Sequence, residues 1–329
     1  MKNLVKWLGL SLLAVFMLAA CGNDNDKNSA ANKSDGKDDF DKTAEADDKL
    51  KVVTSFTIIA DMAREIGGEY VEVYNLVPTG TDPHEYEPLP NDIKAATDAD
   101  VLFYNGLNLE GGEHGWFFKM MDSVGQKDEN IFSLTEKVEP KYIGGEEGRD
   151  EEINPHAFID PAVGVKMAEA MRDVLIEKHP TNSEDIKKLG DEYVQRIKDL
   201  DTEFEERIST VPEENRVLVT SERAFQYLND HYGLKEAFIW EIDTEENGSP
   251  KQIKELVHYI QEHKVPVLFV ESNVDTRPME TVSKETGVPI AEKPIYSDEI
   301  GNPGDEIDTY VKYLNYNMNL IHDELSKER

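Results

Sequence analysis

The chain has 329 residues, enough for two domains of ordinary size, and sets 68 Asp+Glu against 35 Lys+Arg for a formal net charge of -33. Such a balance argues against nucleic-acid binding and against a polybasic contact with membrane lipids. Most of the carboxylates read as solubilising surface, with a long-range pull on cations that salt screens.

Residues 1–20 read as a signal peptide. Lys2 and Lys6 supply a basic start, and Leu8 to Ala20 is an apolar run too short for a comfortable transmembrane helix. The run ends in Leu18-Ala19-Ala20-Cys21, with the only cysteine of the chain at its close and a polar tract directly after it. This arrangement resembles the bacterial lipobox, which implies that Cys21 is lipidated and anchors the chain outside the cytoplasmic membrane without spanning it. Residues 22–49 are almost devoid of apolar side chains. They cannot offset their ordering entropy by burial and are expected to be a tether.

From residue 50 the pattern alternates between short apolar strands and helices, the signature of a parallel α/β sheet. Lys51 to Phe56 and Val71 to Val77 read as strands around a helix from Ile58 to Ile66, and Val101 to Asn105 as a third strand. The second strand delivers the chain to Pro78-Thr79-Gly80-Thr81-Asp82-Pro83-His84-Glu85-Tyr86-Glu87-Pro88, and loops at the carboxyl ends of such strands are where ligands sit. His84 stands in that loop. Asn154-Pro155-His156 repeats the combination of a polar residue, proline and histidine, so both imidazoles are held on stiff backbone. The other histidines, His114, His179, His231, His258, His263 and His322, lack that setting and read as structural or solvated.

Thr181 to Val211 carries apolar residues at spacings of three and four: Ile186, Leu189, Tyr193, Ile197, Leu200, Phe204, Ile208 and Val211. This predicts one long helix, with Thr181 and Glu184 as a capping box and Pro212 as the stop. The flanking sequences rhyme. Val52-Val53-Thr54-Ser55, then Pro90 with Ile93-Lys94, then Val101-Leu102-Phe103 are answered by Leu218-Val219-Thr220-Ser221, Pro250 with Ile253-Lys254, and Val267-Leu268-Phe269. The expected architecture is therefore α/β, with two similar parallel-sheet lobes (50–180 and 212–329) joined by a rigid linker helix (181–211).

In the second half, Arg216 to Thr220, Ala237 to Ile242 and Val265 to Val270 read as strands, Gly287 to Ala291 leads on to Pro294-Ile295-Tyr296-Ser297, and Asp308 to Leu325 reads as a closing helix. Glu222 follows the first of these strands, and Asp298 follows the apolar Pro294-Ile295-Tyr296. Two histidines from one lobe and two carboxylates from the other would suit a first-row divalent cation in the cleft between them.

These stretches resemble the metal-binding lipoproteins of bacterial ABC importers, the solute-binding proteins that capture manganese or zinc. The resemblance is carried by Thr81 to Pro88, Phe103-Tyr104-Asn105-Gly106, Asn154-Pro155-His156, Trp240-Glu241-Ile242 and Val270-Glu271-Ser272-Asn273-Val274-Asp275-Thr276-Arg277-Pro278-Met279. It implies one metal ion between the lobes, held by His84, His156, Glu222 and Asp298. It also implies a manganese-type member, because zinc-type relatives carry a third histidine and a histidine-rich loop, whereas Lys141 to Glu152 here is acidic and has none. Zn2+ or Fe2+ is the alternative cargo. The implied partners are an ABC permease and its ATPase, with the receptor itself a monomer bound to the membrane through Cys21. Arg223 and Glu299 depart from the family pattern beside two ligands, where contacts tune affinity and selectivity. The reading from another class is a secreted mononuclear metallohydrolase with Glu85 or Glu222 as general base; a surface adhesin is a third.

Overall fold

The computed structural model describes residues 49–143, 153–242 and 248–327. The signal segment, Cys21, the tether up to Asp48 and the acidic loop over 144–152 lie outside the described residues.

β1 (Leu50–Phe56) is buried along its last five residues, the continuous pattern of a parallel strand covered on both faces. It is followed by α1 (Thr57–Gly67), β2 (Val71–Val77), α2 (Pro90–Asp98), β3 (Val101–Tyr104), α3 (Trp116–Val124) and β4 (Ile131–Ser133). The strands form one parallel sheet in the order β2-β1-β3-β4. α4 (Pro161–Lys178) closes this half. Asp160 caps it by accepting the Ala162 N–H at 3.0 Å, and Pro161 opens its first turn.

α5 (Ser183–Ile208) is the expected spine, 26 residues and about 39 Å long at 1.5 Å per residue. Ile186, Tyr193, Ile197, Phe204 and Ile208 of the expected stripe are buried, with Leu189 and Leu200 half-buried. Each large apolar side chain so removed from water contributes about 2 kcal/mol. Gly190 lies on the same face. A Cβ there would come within 2.5 Å of the Arg172 side chain, so glycine lets α4 lie close against the spine. The expected capping box does not form. Pro180–Asn182 make a 3-10 turn, which takes Thr181 away from the cap position, and the helix starts at Ser183 with no side-chain cap. At the other end the Arg216 guanidinium donates to the Ser209 and Val211 carbonyls at 2.9 and 3.0 Å, satisfying acceptors that the helix leaves open.

The second half runs through β5 (Val217–Glu222), α6 (Gln226–Tyr232), β6 (Lys235–Trp240), α7 (Pro250–Glu262), α8 (Arg277–Thr286) and α9 (Tyr310–Leu325). β5 and β6 pair in parallel. Where a strand is expected over 265–270, the structure has only single parallel bridges, Leu268 with Ile290 and Glu271 with Ile295. Pro266, Pro289 and Pro294 remove backbone donors from these segments and keep the pairing short. The Phe269 N–H nevertheless reaches the Val219 carbonyl at 2.8 Å. The lateral order is therefore β6, β5, 268–271, 290–295, which repeats that of the first sheet. α9 does more than close its own half: the Tyr310 N–H donates to Asp61 at 2.8 Å, and its hydroxyl donates to the Phe158 carbonyl at 2.5 Å.

A candidate metal centre where the two halves meet

Four backbone segments converge at the carboxyl ends of the two sheets. The first is the loop after β2. Thr81 N–H closes a turn on the Pro78 carbonyl at 3.2 Å, and Asp82 accepts the His84 N–H at 2.7 Å, an Asx turn that presents the imidazole. Trp116 on α3 braces the loop by donating its indole N–H to the Pro83 carbonyl at 2.8 Å.

The second segment is Asn154-Pro155-His156, whose histidine opens a short 3-10 turn before α4 and is wholly buried. Asn105 donates to the Pro155 carbonyl at 3.1 Å and so fixes this segment to the end of β3. Asn154 Oδ1 lies 2.9 Å from His156 Nδ1 and accepts the His156 N–H at 3.1 Å. With Nδ1 as donor, Nε2 is left as the ligating nitrogen.

Glu222, the third, is the last residue of β5 and is buried. Its N–H and that of Ser221 donate to the Glu271 carboxylate at 2.9 and 3.2 Å, which pins the end of the strand. Asp298, the fourth, follows the bridge at Ile295. Its Oδ2 accepts from Ser297 at 2.9 Å and from Asn273 at 3.2 Å. α9 holds the segment from behind, with Tyr313 donating to the Ser297 carbonyl at 2.8 Å and Asn317 exchanging hydrogen bonds with the Tyr296 backbone.

His84, His156 and Glu222 each offer a donor atom, and these atoms lie within 4.8 Å of one another. Asp298 joins through His156, its Oδ1 3.2 Å from Nε2, while Glu222 Oε1 lies 3.8 Å from the same nitrogen. The two imidazole centroids are 5.2 Å apart. His84 Nε2, His156 Nε2 and Asp298 Oδ1 are shielded from solvent and, among the described residues, have no hydrogen-bond partner. Buried polar atoms are rarely left so, and here they face one another, which is what ligands to a shared cation do.

The electrostatics favour positive charge. Burial lowers the affinity of the His84 ring for a proton and His156 adds to that effect, with Asp298 opposing. Burial would depress His156 too, but the Asp298 and Glu222 charges outweigh it and raise it to about 9. Burial acts to raise Asp298, yet the His156 charge holds it well below the usual carboxylate range.

All four expected donors are thus brought to one place. None of the other histidines joins them among the described residues. His231 instead lies 2.7 Å from Asp160, and His258 and His263 are exposed on and after α7. Of the two alternative general bases, Glu85 is exposed and Glu222 is the buried carboxylate among the four. Arg223 turns to the Glu236 carboxylate at 2.6 Å and to the Ile143 carbonyl, away from the donors. Sequence reasoning missed Asn154, Glu271, Asn273, Ser297, Tyr313 and Asn317 as supports. Asn154, Glu271 and Asn273 stand inside motifs already singled out, so their polarity was the available signal.

A two-lobe α/β fold on a helical spine, with imidazoles and carboxylates meeting at its sheet ends, defines a metal-binding class of solute-binding proteins. The chain belongs to the family described as zinc-uptake complex component A, periplasmic, which matches residues 52–324. It is 42% identical over 323 residues to the metal ABC transporter substrate-binding lipoprotein SsaB of Streptococcus sanguinis, covering 98% of each chain. It is 43% identical over 288 residues to the manganese ABC transporter substrate-binding lipoprotein PsaA of Streptococcus anginosus, covering 87% of this chain and 92% of that one. Among solved structures, the manganese-bound periplasmic metal-binding protein of Candidatus Liberibacter asiaticus superposes with a TM-score of 0.73 at 26% identity, over 84% of this chain and 99% of that one. The periplasmic zinc-binding protein TroA of Treponema pallidum gives 0.76 at 25% identity, over 85% and 100%.

Proposed function

We propose that this chain is an extracytoplasmic receptor that captures one divalent metal ion, Mn2+ in the cell, and hands it to an ABC permease driven by its ATPase. The observation that carries this reading is the convergence of shielded His84, His156, Glu222 and Asp298 donors, which we take as the ligand set. Two nitrogens with two carboxylates suit a first-row divalent cation, and a carboxylate binding through both oxygens allows more than four-coordination. This favours the harder Mn2+ over Zn2+ in ligand chemistry. Zn2+ binds most such sites more tightly, so manganese loading also depends on supply. The relatives are named as ABC transporter substrate-binding lipoproteins, which supports the same reading. On it, Cys21 is the lipid anchor, residues 22–49 are the tether, residues 181–211 link lobes 50–180 and 212–329, and the receptor works as a monomer.

The test is metal content by mass spectrometry after the chelator-stripped protein is dialysed against equal Mn2+, Zn2+ and Fe2+. About one ion per chain is expected from a single closed site. No retained ion overturns the reading.

A further inference from the structure

The three shielded donor atoms imply that an ion cannot leave without parting the segments that carry them, so whatever holds those segments together sets the rate of release. Asp298 is followed by two residues that reach into the other half of the molecule. The Glu299 Oε2 accepts the Gly80 N–H at 2.5 Å, and Oε1 accepts the Ser272 hydroxyl at 3.4 Å. Ile300 accepts the Thr79 hydroxyl at 2.9 Å through its carbonyl and donates its N–H to Thr57 at 3.1 Å.

Gly80 occupies the third place of the turn closed by Thr81 and Pro78, at φ +82, a conformation that glycine adopts without strain. That turn uses the Thr81 N–H and leaves the Gly80 N–H to point elsewhere. Gly80 stands four residues before His84, and the partner of its N–H is a carboxylate one residue from Asp298. The bond is charge-assisted, the stronger kind, and it spans the line along which the site must open.

We propose that Glu299 is a latch between the halves: its hydrogen bond to Gly80 holds the His84 loop against the Asp298 segment and slows release of the bound ion. This rests on the metal-receptor reading. Glu299 acts through the loop and is a positioning residue, separate from the four proposed ligands.

The experiment compares Glu299→Ala and Glu299→Gln with the parent protein in two measurements: Mn2+ release into excess chelator by stopped flow, and amide exchange at Gly80 in the metal-free protein by NMR. Loss of the latch is expected to speed release by roughly tenfold in Glu299→Ala, with the association rate unchanged. Glutamine keeps an acceptor oxygen and is expected to recover most of the difference. Gly80 exchange is expected to accelerate in the alanine variant and to stay near the parent value in the glutamine variant. Release at the parent rate with unchanged Gly80 exchange overturns the latch. So do two variants that release equally fast without any change at Gly80, because that pattern belongs to a charge acting at a distance. A parent protein that retains no ion sinks the receptor reading instead, and the Gly80 exchange then still decides whether the bond exists.

Discussion

Asn154 joins the two halves through a single amide: its Oδ1 lies 2.9 Å from His156 Nδ1, and its Nδ2 donates to the Arg223 carbonyl at 2.8 Å, one residue past Glu222. The side chain therefore orients one proposed ligand and ties it to the neighbour of another. Asn154→Ala removes both bonds, along with those to the His156 N–H and to Gln226, and frees the ring to take the other tautomer. Loss of such a support is expected to weaken Mn2+ binding by about 10–100-fold, as read by competition with a chelator of known affinity. Unaltered affinity would mean that the ring is held by packing alone.

Acid should release the ion. Imidazole must be neutral to ligate, and the proposed ligand set takes both its nitrogens from His84 and His156, so protons would compete directly with the metal. Equilibrium dialysis from pH 8 downward is expected to show full occupancy near neutrality and loss by about pH 4, well below the ordinary imidazole range. Retention at that pH would count against the two histidines.

Away from the proposed ligands, Glu110 gives the protein a stability term with the opposite sign to the usual carboxylate. Its Oε1 accepts from Ser55 Oγ and the Asn105 N–H, each at 2.7 Å, and its Oε2 from the Gly106 N–H at 3.2 Å, but burial dominates and pushes it from 4.5 up to about 7. The folded state then binds the proton more tightly than the unfolded state. The contribution is full below about pH 4.5 and is lost as pH rises to 7, a change of about 3 kcal/mol. Urea unfolding of the metal-free parent and Glu110→Gln at pH 4.5 and 7.5 checks this: the difference between the two proteins should shift by that amount in favour of the variant at the higher pH. A constant difference would show that Glu110 does not titrate there.

Phe204 couples the spine to the second half. It is almost wholly buried on α5, and its ring meets Tyr232 edge-on at 4.6 Å between centroids. Phe204→Ala leaves a cavity there and should cost about 3–4 kcal/mol in denaturant unfolding while one ion per chain is still retained. A cost under 1 kcal/mol would mean that the spine is not packed as described.

The parts legible in the sequence are those governed by local rules. The apolar stripe from Ile186 to Ile208 predicts the spine because helical geometry puts residues three and four apart on one face, whatever lies opposite. The rhyme between Val52-Val53-Thr54-Ser55 and Leu218-Val219-Thr220-Ser221 predicts two similar sheets, and proline beside each histidine marks stiff, ligand-bearing loops. Local rules failed where a neighbour decided the outcome. Thr181 loses its cap position to the turn begun at Pro180, and the segments at Leu268 and Ile290 pair for one residue each between prolines.

The sequence by itself determined the alternation of elements, the length of the spine and the identity of the four candidate donors. Only the tertiary structure decided that His84, His156, Glu222 and Asp298 share one place, and that Asn154, Glu271, Tyr313 and Asn317 hold them there. The physical reason is that buried polar groups must find partners, and those partners mostly stand on other segments of the chain, as Glu271 does for Glu222 and Tyr313 for Ser297. Periodicity along the chain carries no record of which distant group will arrive.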